Sequence, residues 1–258
     1  MKIVCITENT SADERLCAEH GLSLYIETEK HKILFDMGQT DAFCENAEKL
    51  GVRLEDVDIA VLSHGHYDHG GGLSRFLQVN KKAPVYISRY AFGEYYNGQE
   101  KYIGLDISLK ESDRLIFTDG EKDLGGGMCL YSHNDKKRPN YMGSFGLNKR
   151  CGGEFVSDDF IHEQYLMIEE NGKRVLISGC SHKGVVDIVS WFSPDIFIGG
   201  FHFSKIEDTK MLDTALEKLL CGNTVYYTCH CTGITQYEYM RAKSERIHYI
   251  CCGDTIKI

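Results

Sequence analysis

Residues 57–72 read VDIAVLSHGHYDHGGG, an apolar run that stops at four metal-capable side chains, His64, His66, Asp68 and His69, set among glycines. The run is short and aliphatic, as a buried strand requires. Residues two apart in an extended segment point the same way, so His64, His66 and Asp68 can converge on the turn that leaves the strand. Gly65, Gly70, Gly71 and Gly72 permit a tight backbone path there. Imidazole and carboxylate together suit zinc, with manganese or iron as alternatives.

The rest of the chain alternates strand-like and helix-like segments. KIVCIT reads as a strand, and LSLYIETE and HKILFDMG as paired strands about a turn near Glu29 and Lys30. DAFCENAEKLG has helical spacing and ends on Gly51, a suitable residue just past a helix C-terminus. GGLSRFLQV reads as a helix and APVYIS as a strand. QYLMIEENGKRVLISG reads as a hairpin with Asn171-Gly172 as its turn. After it, helices (KGVVDIVSWF, TKMLDTALEKLL, TQYEYMRAK) alternate with strands (DIFIGGFHF, NTVYYTCH), and IHYICCGDTIKI closes the chain. Each half leads with strands and continues in strand–helix units, which predicts an α/β sandwich of two sheets with helices outside.

The stretch from about 91 to 151 breaks this rhythm. It is rich in Gly, Tyr and charge, and it reads as an insertion lying over the site that the scaffold builds. Within it Lys136, Lys137, Arg138, Lys149 and Arg150 are candidate phosphate-gripping cations. Tyr95, Tyr96, Tyr102 and Tyr141 are candidate stacking surfaces for a ring.

The formal charge is −9 and no long basic tract is present. This argues against general binding to nucleic acid or anionic membrane while leaving room for a small anionic substrate. No window approaches the ~18 apolar residues of a membrane span, and the N-terminal run is too short for a signal peptide. A cytoplasmic location is expected, with the 11 cysteines reduced. The sequence leaves the oligomeric state open.

H-x-H-x-D-H after a buried strand resembles the signature of the metallo-β-lactamase fold superfamily. The resemblance implies an α/β fold of αβ/βα type, a four-layer sandwich of two mixed β-sheets with outer helices, formed by residues 1–258 as one domain. It also implies a site for one or two metal ions, zinc above all, and supplies further ligands. His162, ahead of the hairpin, fits one. Cys180, at the end of LISGC where an aspartate is commoner, fits the second, and a thiolate there puts a bridged metal pair in question. His230, in TVYYTCHCTG, fits the third, with Cys229 and Cys231 as packing residues. His182, two residues past Cys180, is either a replacement for Cys180 or His162 or a contact to substrate. His202, in IGGFHF, is a further candidate for substrate contact. Asp36, in ILFDMG, corresponds to an aspartate that orients the HGHYDH turn by hydrogen bonding. His20, His31, His133 and His248 receive no role.

GCSHKGVVDIV, DIFIGGFHF and YYTCHCTG, with AEHGLSLYIE and ILFDMG, are similar to a narrower group, the β-ribofuranosylaminobenzene 5′-phosphate synthase-like metallo-hydrolases. His66 stands where flavodiiron oxidoreductases of the superfamily carry glutamate, which favours a hydrolytic zinc-type centre over a redox di-iron one. The resemblance implies two metals, held by His64, His66 and His162 and by Asp68, His69, Cys180 and His230. They would activate a water, whose pKa falls from ~15.7 to ~7 on zinc. Asp68 would also orient the nucleophile, and His182 or His202 would donate to developing charge or the leaving group. The leading expectation is a metal-dependent hydrolase of a small-metabolite phosphate ester or phosphodiester. The alternatives are a pterin-type synthase, joining a dihydropterin pyrophosphate to an aminobenzene riboside phosphate, and a non-catalytic metal-binding or sensor protein.

Overall fold

A computed structural model describes all 258 residues. The first half runs β1 (Lys2–Thr7), β2 (Ser23–Glu27), β3 (Lys32–Phe35), α1 (Ala42–Lys49), β4 (Ile59–Val61), α2 (Tyr67–Gly70), α3 (Leu73–Val79) and β5 (Val85–Ser88). The middle adds β6 (Tyr95–Asn97), β7 (Lys101–Tyr102), β8 (Leu115–Thr118), β9 (Glu121–Gly125), β10 (Met128–Tyr131), β11 (Leu147–Cys151) and β12 (Glu154–Ser157). The second half continues with β13 (Tyr165–Glu170), β14 (Lys173–Ile177), α4 (Val185–Phe192), β15 (Ile196–Gly199) and α5 (Thr209–Leu219). It ends with β16 (Val225–Thr228), α6 (Ile234–Arg241), β17 (Ile247–Tyr249) and β18 (Thr255–Lys257). No helix is long and apolar enough to cross a membrane.

Two seven-stranded mixed sheets result, ordered β18-β1-β2-β3-β4-β5-β8 and β17-β16-β15-β14-β13-β10-β9. Their inner faces meet through Ile3, Leu24, Ile33, Phe35 and Val61 on one side and Leu130, Leu166, Ile168, Val175 and Ile198 on the other. The outer face of the first sheet (Val4, Leu34, Ala60, Val85) is covered by Phe43 and Ala47 of α1 and by Leu73 and Phe76 of α3. That of the second (Met167, Leu176, Phe197, Tyr226) is covered by Ile188 and Phe192 of α4 and by Leu212, Leu216 and Leu219 of α5. Period-2 alternation thus sends each strand's apolar residues to both sides, giving four layers, helix–sheet–sheet–helix. This is the predicted α/β sandwich.

Local expectations hold at the turns. Asn171 (φ 53°) and Gly172 (φ 71°) both take the left-handed region that a two-residue hairpin turn demands between β13 and β14. Gly51 (φ 70°) follows the last residues of α1 in the same conformation.

The stretch 91–151 is not one irregular insertion. Its strands β8, β9 and β10 complete the two main sheets, while β6, β7 and β11 join β12 in a separate four-stranded sheet, ordered β12-β11-β6-β7. These strands are short and interrupted by Gly and charge, so they carry little alternation. Their pairing comes from partners distant in sequence, such as Leu147 opposite Asn97.

Candidate metal centre

The HGHYDH turn leaves β4 at the edge of the space between the sheets. His66 is still extended (φ −98°), and Asp68 and His69 lie on the single turn of α2. A side chain at Gly65 would put its Cβ 2.1 Å from the carbonyl oxygen of Ala91, so only glycine fits. Asp36 sits at the end of β3 with φ 61° and is fully buried. Its carboxylate accepts from the Ser63 amide and hydroxyl at 2.7 Å each. The same group lies 2.7 Å from His69 Nδ1. The orienting role expected of Asp36 thus has its geometry.

Three rings have their Nδ1 engaged: His69 by Asp36, His64 by the Ser63 hydroxyl at 2.8 Å, and His230 by Asn9 Oδ1 at 2.8 Å. Each leaves Nε2 to face the interior. In one group, Asp68, His69, Cys180 and His230 bring one donor atom each to within 4.8 Å of one another. His69 Nε2 is 3.2 Å from Cys180 Sγ and 3.2 Å from His230 Nε2. In a second, His64, His66 and His182 converge likewise, with His64 and His182 Nε2 atoms 3.3 Å apart. The buried His66 Nε2 has no hydrogen-bond partner in the protein. Lone pairs aimed at each other in a buried space, with one ring nitrogen orphaned, are unfavourable without a cation between them. The donor set therefore fits the transition metal that the motif implies.

Burial pushes His64 and His182 well below the ordinary histidine pKa and His66 down to about 4. These rings are neutral near pH 7, the form that binds metal. Burial would lower His69 as well, but the carboxylates of Asp36 and Asp68 outweigh it and raise the ring to about 9. Burial would raise Asp68, yet His69, His20 and His230 hold it well below the carboxylate range. Burial, reinforced by Cys231, holds Cys180 well above the usual thiol value.

His182 joins both His64 and His66 in one group, whereas His162 meets His66 in a separate group with Asp158. Both nitrogens of His162 are committed: Nδ1 accepts from the Gly65 amide at 2.9 Å, and Nε2 lies 3.1 Å from Asp158 Oδ2. Tyr95 also packs against it, ring centroids 3.9 Å apart. His162 thus pins the backbone between His64 and His66, and Asp158 fixes its tautomer. His182 is held from behind by Glu163, whose carboxylate accepts from the amides of His182 (2.6 Å) and Lys183 (3.0 Å) and from the Tyr165 hydroxyl (2.6 Å).

Both groups open on a cleft of about 180 Å³ lined by His66, Asp68, Cys180, His182, His202 and His230. His202 stacks edge-on against His182 at 4.4 Å, with its own Nδ1 buried and unpartnered. Cys231 faces the cleft beside Cys180 and His202, whereas Cys229 packs between the sheets. The tyrosines proposed for stacking do not line the cleft; Tyr67 does. Nor do the cations singled out in the insertion. Lys149 pairs with Asp159 at 2.6 Å, Arg150 lies 3.9 Å from Glu94, and Arg138 rests on the Tyr141 ring. Lys101 and Lys205 line it instead. His20, assigned nothing from sequence, lines it too, with Nε2 3.3 Å from Asp68 Oδ2. Its only sequence signal is its place in AEHGLSLYIE, one of the segments that carried the resemblance.

The family model described as "Metallo-beta-lactamase superfamily" matches residues 18–219. The chain belongs to the metallo-beta-lactamase superfamily. Among its relatives is the 7,8-dihydropterin-6-methyl-4-(beta-D-ribofuranosyl)-aminobenzene-5′-phosphate synthase of Methanocaldococcus jannaschii. That protein is 28% identical over 267 residues, covering 93% of this chain and 90% of the relative. An uncharacterized protein of the same organism is 30% identical over 243 residues, covering 90% of each. Among solved structures, Tm1679, described as a metal-dependent hydrolase of the beta-lactamase superfamily, superposes with a TM-score of 0.85. It is 27% identical and covers 100% of this chain and 99% of its own. Zn²⁺-bound PqqB from Methylobacterium extorquens shares the fold at a TM-score of 0.61 and 13% identity, over 100% of both chains.

Proposed function

We propose that this superfamily member is a metal-dependent hydrolase of a phosphate ester or phosphodiester in a small metabolite. The observation that carries the reading is the convergence of His64, His66 and His182 with Asp68, His69, Cys180 and His230 on one cleft. The first three side chains would hold one ion and the other four a second, zinc being the first candidate and manganese or iron the alternatives. An ion held there would supply a water of lowered pKa, toward ~7, and Lewis-acid polarisation of the oxygen under attack.

The chain's own groups supply the rest. Asp36 and Ser63 orient the rings, Asp68 would orient the nucleophile from the cleft lining, and His202 would donate to a leaving group. This reading takes His182 as a ligand, one of the two roles that the sequence left open for it. The cleft of about 180 Å³ is smaller than the ~300–1,000 Å³ usual for drug-sized ligands, which supports a small substrate or one that projects beyond the rim.

The test is metal analysis of the purified protein with a panel of phosphate mono- and diesters. Turnover should vanish with chelator and return with zinc or manganese; metal uptake without turnover on any ester would refute the hydrolase reading. The 28% identity to a synthase supports a second reading, a pterin-type condensation. It requires pyrophosphate release only when a dihydropterin pyrophosphate and an aminobenzene riboside phosphate are both present.

A further inference from the structure

The cleft carries a charge pattern opposite to that of the chain. Although the net charge is −9, the only carboxylate lining the cleft is Asp68, already engaged with His20 and His230. Two lysines line it from different parts of the fold, Lys101 on β7 of the four-stranded sheet and Lys205 in the loop after β15. Neither has a carboxylate partner. Lys101 Nζ is 3.0 Å from the Tyr67 hydroxyl, and Lys205 Nζ donates to the Phe145 carbonyl at 2.8 Å. Five other lysines, Lys32, Lys82, Lys149, Lys173 and Lys243, are paired with carboxylates and so offer no free charge. Both side chains are exposed at the rim of the cleft, and neutral acceptors steady their ammoniums without cancelling their charge.

We propose that Lys101 and Lys205 form an anion subsite at the cleft that binds a terminal phosphomonoester group of the substrate, apart from the bond that is broken. Two compact cations match the two charges of a phosphomonoester, and Asn97, Ser204 and the Tyr67 hydroxyl, on or beside the same lining, offer donors to its remaining oxygens. Sequence reading placed the phosphate grip at residues 136–150, where the cations turn out to be paired or outside the cleft. The proposal rests on the reading of this cleft as a substrate site, and it deepens that reading by fixing where substrate charge is recognised.

The test uses the full chain, zinc-loaded, with inorganic phosphate as the probe in calorimetric titration. Lys101→Met and Lys205→Met should each weaken phosphate binding about tenfold, as loss of a charge-assisted hydrogen bond does. Zinc content should stay at the wild-type value, and Lys110→Met, outside the cleft, should leave phosphate binding unchanged. Equal phosphate affinity in wild type and the double variant at equal zinc content would overturn the subsite, as would a wild type that binds no phosphate. The readout needs no turnover. Lysine-dependent binding in a protein that hydrolyses nothing would retain the subsite and reject the hydrolase. Ester hydrolysis with lysine-independent phosphate binding would do the reverse.

Discussion

His64, His66 and His182 offer three neutral imidazoles, whereas Asp68, His69, Cys180 and His230 add a carboxylate and an ionisable thiol to two imidazoles. The two groups share a cleft and are both buried, yet they face a dication with different charge. The mixed group can cancel two positive charges and the imidazole group none. In a low-dielectric site that difference weighs heavily. An ion among the three histidines should be held less tightly and stay more electrophilic, while one beside Cys180 should be the structural anchor. Cys180 must also lose a proton to serve, because burial keeps its thiol protonated in the free protein. The comparison teaches that one motif can supply two donor groups of unlike charge, its first two histidines going to one and Asp68 and His69 to the other.

The largest effect that would break this comparison is loss of both ions. Exhaustive chelation should cut ester turnover by at least about a thousandfold, ~4 kcal/mol of barrier, with restoration by zinc or manganese; undiminished turnover in metal-free protein would end the argument. Next come paired variants, His66→Ala and Cys180→Ala, each expected to bind roughly one equivalent fewer. Dilute chelator should strip the remaining ion of Cys180→Ala sooner than that of His66→Ala, and the reverse order would invert the ranking. Asp36→Asn, which weakens the carboxylate directly behind His69 and reaches His64 only through the Ser63 hydroxyl, should lower affinity for the tighter ion by about 10–100-fold and for the weaker one by less; competition with a chromophoric chelator reads both. The smallest effect is expected at His162. His162→Phe strands the buried Gly65 amide at a cost of about 1–3 kcal/mol. The melting temperature should fall by roughly 5 °C while metal stoichiometry is retained; loss of one equivalent would return His162 to the ligands.

What the sequence disclosed follows the range of the interactions involved. The HGHYDH turn was readable as a donor cluster because its side chains lie within six residues. The extended spacing expected to bring Asp68 to His64 and His66 stops at His66: Asp68 lies on α2 and joins His69, Cys180 and His230 instead. Asp36, Cys180 and His230 came from the family resemblance, which places them at strand ends that the topology brings to one edge of the sandwich. Which of the two rings joins His64 was not readable, since the nineteen residues between His162 and His182 pass through a hairpin and a turn at Ser181 (φ 60°) whose direction depends on Glu163. Lys101 and Lys205 were missed for a related reason. Whether a lysine is neutralised depends on tertiary neighbours, and the denser cationic run at 136–150 drew the assignment. The four-stranded sheet escaped because its strands are too short and polar to show a period.

The contact between Gly65 and the Ala91 carbonyl has a consequence for anyone who would refit this scaffold to another substrate. With no room for even a methyl group there, the hinge between the first two histidines rests directly on the chain that leads into the four-stranded sheet. Exchanging that cap for one from a relative would therefore reset the histidines' alignment along with the new walls, unless the backbone at residue 91 is kept as a fixed graft point.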